Sequence, residues 1–232
     1  MNIAGDNTVV MIAGGTGLVG SHAINLMLDE AAVSRIYALG RRPLTLEHGN
    51  ADKITNLVNQ DLQVNEWNEA LPTPTLGLIC LGTTIKQAGS KEALEKVDFE
   101  LVCHAAQTMQ LLGVQRLAVV SSYGADPQSP SHYLRCKGHM EQTLTRMGFE
   151  QLLILRPGPL VGVRNIPRTD EKWLQSILKV ARPLMFGKLK SLIPIQASDV
   201  AKAALFKLFT KKYHPTEVFD SPKMLALLSK YQ

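Results

Sequence analysis

Apolar runs rich in β-branched residues alternate along this chain with longer segments of helical patterning. The runs with strand-like composition are 8–13, 35–40, 54–59, 76–82, 116–122 and 151–158. Four of them, the first, fourth, fifth and sixth, are apolar almost throughout, as in strands covered on both faces. Helical patterns lie between the runs at 21–31, 90–113 and 131–148. The alternation predicts an α/β fold with a doubly wound parallel sheet.

The pattern changes after residue 158. Residues 158–168 resemble a loop, 169–185 have the pattern of one helix, and 197–210 have that of another. Ser198 is a favourable N-cap for the last helix, with Asp199 in its first turn. We expect a single domain over 1–232, in which 159–195 and 213–232 form a small substrate-covering region.

Four glycines fall within the segment GGTGLVG at 14–20, directly after the first predicted strand. A plain turn needs only one or two glycines, and each glycine costs backbone entropy. The segment contains G-x-G-x-x-G between a buried-type strand and a helix, where glycines let the backbone approach a pyrophosphate at the helix N-terminus. The pattern therefore predicts a dinucleotide site of the Rossmann type, the alternative being a glycine-rich turn without a ligand. The residues expected to bind are Gly14, Gly15, Thr16, Gly17, Leu18, Val19 and Gly20.

Residues after the second and third strands are candidate contacts for the adenosine half of the cofactor. NAD-preferring sites usually carry an acid at the end of the second strand, but this chain has Gly40 near that place, followed by Arg41 and Arg42. Paired guanidiniums suit a 2′-phosphate, so NADP(H) is expected over NAD(H), although two solvated arginines are the alternative. After the third strand, Asp61 could accept a hydrogen bond from the adenine amino group while Leu62 packs on the ring. Asp61 could equally cap a helix that follows it.

Tyr133 and Lys137 are four residues apart in the segment YLRCK, so they project from one face of a predicted helix. Ser121 and Ser122 end the fifth predicted strand, at the sheet edge where open α/β proteins bind ligands. Strand alternation lets only one of the two serines face the site, and we select Ser122. The charge of Lys137 would favour loss of the Tyr133 proton, so that the phenol could act as an acid or base in carbonyl reduction. Ser122 would orient the substrate oxygen; the alternative is an ordinary solvated Tyr and Lys.

Taken in order, the motifs GGTGLVG, GRR, VVSSYGA, YLRCK, LRPGPLVG and ASDVAKA resemble the short-chain dehydrogenase/reductase superfamily in its extended or atypical branch. LICLGTT, VDFELV and SSYGADPQSPSHYLRCKG are similar to its Tat-interactive-protein oxidoreductase subgroup. The resemblance implies that NADPH lies along the glycine segment and that Lys137 bonds the nicotinamide ribose. It also implies cofactor contacts from the residues Gly82, Thr83, Thr84, Pro157 and Gly158.

The chain departs from this family in two respects. It is short for the extended branch, which makes a large sugar-nucleotide substrate unfavourable. The asparagine of the family's proton relay has no obvious counterpart. Asp98 or His104, on the long predicted helix, could lie near its place, but both are interpreted as helix-surface or packing residues. Three functions therefore remain open: an NADPH-dependent reductase of a small carbonyl or quinone, a nucleotide-sugar epimerase or dehydratase, and an NADPH-sensing regulatory scaffold with a protein partner.

The composition of the chain restricts its expected ligands and its expected location in the cell. The chain has 232 residues and 45% hydrophobic content, enough for one sizeable core. Its net charge of +5 is scattered, so a small anionic ligand is expected and nucleic acid is not. Cys80, Cys103 and Cys136 form no CxxC pair and are expected to be reduced, with no metal site. No apolar run reaches the ~20 residues of a membrane span, and the polar start carries no signal peptide. We expect a cytoplasmic protein, either monomeric or dimerised through 90–113 and 131–148.

Overall fold

A computed structural model describes residues 7–162 and 192–230 of the chain. Within them, a parallel seven-stranded sheet has the order β3-β2-β1-β4-β5-β6-β9, and β7 pairs with β8 in a separate two-stranded sheet. The strands are β1 Thr8–Ala13, β2 Val33–Gly40, β3 Ile54–Val58, β4 Leu76–Ile79, β5 Arg116–Val120, β6 Gln151–Arg156, β7 Leu160–Val161, β8 Ile195–Gln196 and β9 Thr216–Asp220. The order turns outward in both directions from β1 and β4, which makes the crevice beyond their carboxyl ends the expected ligand site.

Helices cover both faces of the large sheet. They are α1 Leu18–Leu28, α2 Ile85–Ala88, α3 Lys91–Glu95, α4 Leu101–Leu111, α5 His132–Arg146, α6 Ala197–Phe209 and α7 Ser221–Leu228. Buried residues of α1, α6 and α7 form one hydrophobic cluster with one face of the strands, and those of α4 and α5 form a second cluster with the other face. Along β1, Val10 and Ile12 belong to the first cluster and Met11 belongs to the second. The prediction of a doubly wound parallel sheet is confirmed.

Glycines follow the ends of α4 and α5, whereas the start of α6 differs from the predicted one. Gly113 and Gly148 lie just beyond α4 and α5 with φ of +102° and +76°, the left-handed conformation that favours glycine. Ser198 is not an N-cap, because the extended residue Gln196 of β8 leads directly into α6 at Ala197. Asp199 lies in the first turn as expected.

The structure shows how the carboxyl-terminal segment packs against the large sheet. Strand β9 pairs with β6 as an edge strand of that sheet and α7 packs beside α6, and the expected role of this segment in covering a substrate stays a prediction. The sequence hides this strand since β9 has one paired edge and leaves Thr216 and Val218 exposed, without the continuous apolar run of a central strand. The helix expected at 169–185 lies outside the described residues.

Strands β4 and β5 end at Ile79 and Val120, before the predicted ends at 82 and 122. Their following residues therefore form loops at the carboxyl edge of the sheet. Among the described helices, none is both long and apolar enough to cross a membrane.

Candidate functional site

The glycine segment packs so tightly that side chains are excluded from two of its positions. Gly14 has φ of +84°, and a Cβ atom on it would lie 2.7 Å from the carbonyl carbon of Cys80, in the loop after β4. A Cβ atom on Gly20, in the first turn of α1, would lie 2.2 Å from the Gly14 carbonyl oxygen. Both distances are far below van der Waals contact, so these glycines bring the β1 turn, the start of α1 and the β4 loop together.

The N-terminus of α1 opens on this turn without a side-chain cap. Gly17 is the N-cap, no side chain bonds the first-turn N–H groups from that position, and the first turn holds no acid. Its own amide donates to the Gly14 oxygen at 3.0 Å, which closes the loop. Thr16 is exposed, whereas the Val19 side chain is in the core. The positive end of the helix therefore faces the loop, an arrangement suited to a phosphate group.

Arg41 and Arg42 are both exposed directly after β2. The register of β1 with β2 pairs Ala13 with Leu39, so the arginines leave the sheet beside the glycine segment. A hydrogen bond connects their loop to the end of β3: the Asn59 amide donates to the carbonyl oxygen of Gly40, the residue before Arg41, at 3.0 Å. The location matches that expected for 2′-phosphate contacts, and the contact itself stays a prediction.

The turn after β3 separates the roles of Asp61 and Leu62. The Asn59 side-chain oxygen accepts the Asp61 amide at 2.8 Å, and Asp61 is exposed. Leu62 has φ of +56° and is only 1% exposed, and its carbonyl accepts the Thr108 hydroxyl at 3.1 Å. Leu62 is therefore part of the core, and its expected packing against adenine stays a prediction. Asp61 caps no helix, because the segment that follows it is irregular, so an adenine contact remains its open prediction.

The two serines after β5 have different environments. The Ser121 hydroxyl is buried and donates to Glu141 on α5. That carboxylate also accepts the guanidinium of Arg156, with Nε at 3.0 Å from Oε1, and this hydrogen bond raises the pKa of Arg156. Ser122 is partly buried, with its hydroxyl 3.3 Å from the Tyr123 carbonyl oxygen. Ser121 is thus engaged in a structural network, which supports Ser122 as the residue for a substrate.

Lys137 is buried in an ion pair that the sequence analysis did not assign. Its Nζ lies 2.9 Å from Asp98 Oδ1 and 3.4 Å from the carbonyl oxygens of Leu81 and Val120. Lys137 is 1% exposed and Asp98 is fully buried. The other Asp98 oxygen accepts the Thr83 amide at 2.9 Å. The pair therefore joins α5 to the loops that follow β4 and β5.

Asp98 reaches this position from an irregular turn in the long helix. Residues Lys96–Glu100 form a π-type turn between α3 and α4, a distortion often found at functional sites. The expectation that Asp98 is a surface or packing residue is wrong. A signal was present, because Asp98 falls at i+4 from Leu94 and i−3 from Leu101, both buried, which places an acid on the apolar stripe of the helix. His104 instead contacts the Asp61 carbonyl oxygen at 3.2 Å.

Electrostatics keep the Lys137 ammonium protonated. Burial alone lowers the pKa of Lys137, but the attraction of Asp98, with smaller contributions from Tyr133 and Glu141, outweighs it and leaves this pKa above its usual value. Tyr133 and Lys137 lie one helical turn apart on α5, and their joint role stays a prediction. Nearby, burial raises the pKa of the Cys80 thiol to about 12, which leaves it protonated at neutral pH.

The remaining implied cofactor contacts lie around the same edge. Thr84 caps α2, accepting the Gln87 amide at 3.3 Å, and Gly82 would place a Cβ atom 3.8 Å from Lys137 Nζ. Pro157 is buried after β6, and its carbonyl accepts the Tyr123 amide at 2.9 Å. The structure brings these residues to the loops that flank Lys137, and their contact with a cofactor stays a prediction.

The helix that carries Tyr133 and Lys137 directly contacts the loop after Ser122. A Cβ atom on Gly138 would lie 2.2 Å from the carbonyl carbon of Asp126 and from the amide nitrogen of Pro127. Only glycine permits this approach. The candidate serine and the candidate acid are therefore held on backbones in van der Waals contact.

With this geometry in place, comparison with known proteins identifies the family. The HIM1 family model matches residues 49–188. The chain belongs to the HIM1 family. This HIM1 chain is 33% identical over 201 residues to the protein fmp52, mitochondrial, of Aspergillus fumigatus, covering 84% of the chain and 85% of that relative. It is 29% identical over 223 residues to FMP52, mitochondrial, of Kluyveromyces lactis, covering 94% and 97%.

Solved structures share the fold of this HIM1 chain. A UDP-N-acetylglucosamine 4-epimerase from Methanobrevibacter ruminantium matches with TM-score 0.65 and 14% identity, over 93% of this chain and 77% of that chain. The PhqB reductase domain from Penicillium fellutanum matches with a TM-score of 0.62 and 17% identity, over 92% of this chain and 67% of that chain. The Bordetella bronchiseptica enzyme WbmF in complex with NAD+ matches with a TM-score of 0.63 and 11% identity, over 97% of this chain and 78% of that chain. The expected fold of NAD-binding epimerases and reductases is thus confirmed, whereas the Tat-interactive subgroup stays a prediction.

The expected cytoplasmic location is wrong. The relatives of this HIM1 chain in several fungi, including Emericella nidulans and Candida albicans, are named as mitochondrial proteins. The expectation had depended on secretory and membrane signals alone, and such signals do not address import into mitochondria.

Removal of Asp98 should destabilise the fold by about 3–5 kcal/mol at neutral pH, because Asp98→Ala leaves a buried ammonium without its partner. The raised pKa of Lys137 means that the pair stabilises the wild-type protein fully below its unfolded-state value of ~10.4 and loses this effect as pH rises through the folded value. Without Asp98, burial lowers the pKa of Lys137, so the variant regains stability as the pH rises toward ~10.4 and its deficit shrinks over that range. Urea unfolding at several pH values measures it.

Glu100→Ala is the matched control for this experiment, since Glu100 lies in the same π-type turn and is exposed. It should shift the free energy of unfolding by less than ~0.5 kcal/mol. Equal unfolding midpoints for the two variants would contradict the assigned role of the ion pair.

Proposed function

We propose that this chain is an NADP(H)-dependent oxidoreductase that reduces a small carbonyl or quinone, with Tyr133 as the acid. The observation that carries the proposal is the link between the Tyr133–Lys137 helix and the glycine turn. Lys137 Nζ lies 3.4 Å from the Leu81 carbonyl oxygen, and Cys80, the preceding residue, packs against Gly14. A proton donor and a dinucleotide turn therefore share one crevice at the β1–β4 switch point.

The residues present fit such a cofactor. The uncapped N-terminus of α1 and its glycines would hold the pyrophosphate, and Arg41 and Arg42 would hold the 2′-phosphate. The absence of an acid at the end of β2 agrees with a phosphate in this position. The cofactor, when bound, supplies the hydride. Lys137 would bond its nicotinamide ribose, as the family resemblance implies.

Residues of the chain itself would donate the proton that the reduced carbonyl oxygen requires. Tyr133 would donate its phenolic proton to the carbonyl oxygen of the substrate, and Ser122 would hydrogen bond that oxygen to orient it. Lys137 would stabilise the phenolate that remains on Tyr133. Asp98 would act as a positioning residue, since it fixes the ammonium and keeps it charged.

A second candidate, an NADPH-sensing scaffold with a protein partner, is favoured by the same ion pair. Asp98 offsets much of the charge that Lys137 would otherwise direct at Tyr133, which weakens the drive for proton transfer. The nucleotide-sugar epimerase alternative finds support in the fold shared with the Methanobrevibacter enzyme. It uses the same Tyr133 and Lys137, so substrate tests separate it from the reductase.

The names of the fungal relatives support a mitochondrial location for this chain. A fusion of the chain to a fluorescent protein should overlap with a mitochondrial marker in living cells. A diffuse signal throughout the cytosol would exclude this location.

Replacing the acid provides the first test of the reaction. In a panel of small carbonyls and quinones with NADPH, Tyr133→Phe should lower kcat by about 10²–10⁴-fold, the usual contribution of a positioned acid. NADPH affinity, measured by fluorescence titration, should stay nearly unchanged because the phenyl ring retains the packing. Tyr213 lies in the loop before β9, with its ring against Arg116 at the start of β5. Tyr213→Phe is the control and should keep normal turnover.

Two outcomes would redirect the proposal. Full turnover in Tyr133→Phe would show that another group supplies the proton. Tight NADPH binding by the wild-type protein, with no turnover across the panel, would favour the sensing scaffold.

Cofactor preference tests the arginine pair. Arg41→Ala combined with Arg42→Ala should weaken NADPH binding by about 10-fold or more while changing NADH binding little, because only NADPH carries the 2′-phosphate. Lys211→Ala with Lys212→Ala removes the same net charge from another exposed segment and is the control. Equal losses for both nucleotides would refute the 2′-phosphate assignment.

A further inference from the structure

Three side chains outside the proposed catalytic set converge between α3 and α5. Glu95 ends α3, while His132 and Cys136 lie on α5, and one ligand atom from each falls within 4.8 Å of the others. Cys136 Sγ is 3.5 Å from His132 Nε2, and that nitrogen is 4.0 Å from Glu95 Oε2. A sulfur, an imidazole nitrogen and a carboxylate oxygen thus face one point.

The local structure builds this grouping. His132 begins α5 and Cys136 follows four residues later, so both side chains project from adjacent turns of one helix face. The Lys91 carbonyl oxygen lies 3.3 Å from His132 Nε2, which brings the start of α3 against the same imidazole. Cys136 is buried and His132 is partly buried, whereas the Glu95 side chain is half exposed and can adjust. The cluster is therefore closed on the protein side and open toward solvent through Glu95.

We propose that Glu95, His132 and Cys136 form a binding site for Zn²⁺ or a similar thiophilic divalent cation. Tetrahedral zinc with Zn–S of ~2.3 Å and Zn–N of ~2.0 Å separates those two ligand atoms by about 3.5 Å, which equals the observed spacing of the thiol and the imidazole. Glu95 needs to move inward by about an ångström, because zinc places nitrogen and oxygen ligands about 3.4 Å apart, whereas His132 Nε2 and Glu95 Oε2 are 4.0 Å apart and the three ligand atoms lie within 4.8 Å of one another. Water would take the fourth position.

The Cys136 thiol must lose its proton to bind a metal, because the thiolate is the ligand. Burial, and then the charges of Glu95 and Asp98, raise the pKa of Cys136, so the thiol keeps its proton at neutral pH. On binding, the cation would replace that proton, which leaves to solvent as the metal–sulfur bond forms. Because the CxxC pattern is missing, sequence spacing had predicted no metal site, and the ligands become neighbours only through the packing of α3 on α5.

The guanidinium of Arg135 should weaken cation binding at this site, and a substitution can measure this effect. Its Nη2 lies 3.4 Å from His132 Nδ1, and its Nη1 donates to the Ser129 carbonyl oxygen at 2.7 Å. Metal on Nε2 requires the imidazole proton to move to Nδ1, where it would face the guanidinium. Replacing Arg135 by Gln supplies an amide oxygen that can accept this proton.

Occupation of the site would stiffen the proposed catalytic pair. Glu95 directly precedes the π-type turn that carries Asp98, and Cys136 directly precedes Lys137. A cation bonded to both sides would clamp α3 to α5 beside the buried ion pair. The site differs from the proposed cofactor crevice, so its test does not depend on NADPH binding.

Cobalt provides the test, because Co²⁺ replaces zinc and reports on its ligands. Titration of the reduced, untagged full-length chain with CoCl₂ should give one equivalent of binding and an intense thiolate-to-cobalt charge-transfer band, and ZnCl₂ should displace it. Cys136→Ser should abolish the band, and His132→Gln or Glu95→Gln should weaken binding about 10-fold or more. Arg135→Gln should tighten binding.

Control variants distinguish this site from adventitious binding. Cys103→Ser and His139→Gln alter a thiol and an imidazole elsewhere, on α4 and on the exposed side of α5, and should leave the band intact. Circular dichroism of each variant establishes that it is folded. The absence of a thiolate band in the wild-type protein, or its persistence in folded Cys136→Ser, would overturn the proposal.

Discussion

Enclosing the ammonium of Lys137 in the protein interior has an effective penalty of several kcal/mol, and the attraction of Asp98 at 2.9 Å offsets it only where the geometry is held closely. The π-type turn between α3 and α4 supplies that geometry, because it directs Asp98 inward between two buried leucines. The Thr83 amide occupies the second carboxylate oxygen. One charge pair thus joins the middle of the long helix, the loop after β4 and helix α5.

The second constraint is steric and lies on the cofactor side of the crevice. Gly14 and Gly20 permit backbone contacts that place the Cys80 carbonyl, the β1 turn and the first turn of α1 within van der Waals distance. Since the same β4 loop continues to Leu81, whose carbonyl oxygen faces Lys137, the glycine turn and the charge pair contact two consecutive residues of the chain. Electrostatics and backbone packing therefore act on one short loop.

The sequence predicted those features that depend on local pattern. Apolar runs identified the central strands, since parallel strands covered on both faces leave little room for polar residues. The glycine turn followed from its place between strand and helix, and the location of Tyr133 and Lys137 on one helix followed from the helical pattern.

Features that depend on tertiary contacts were missed or misassigned. Asp98 was interpreted as an ordinary helix residue because its partner is 39 positions away in the sequence, and only the fold brings Lys137 to it. The burial of Leu62 was not anticipated, because nothing local signals that the Thr108 hydroxyl bonds its carbonyl and that its side chain joins the core. Strand β9 escaped detection because an edge strand needs fewer apolar residues than a central one.

The contact at Gly138 limits how this crevice can vary. With no space for even a methyl group between α5 and the Asp126–Pro127 backbone, the helix cannot slide along the serine loop to widen or narrow the space between them. The approach of α5 to this loop is therefore set by main-chain atoms rather than by adjustable side chains. Any side chain at position 138 would push the helix away from the loop, so the distance between these two elements depends on a hydrogen atom in place of a methyl group.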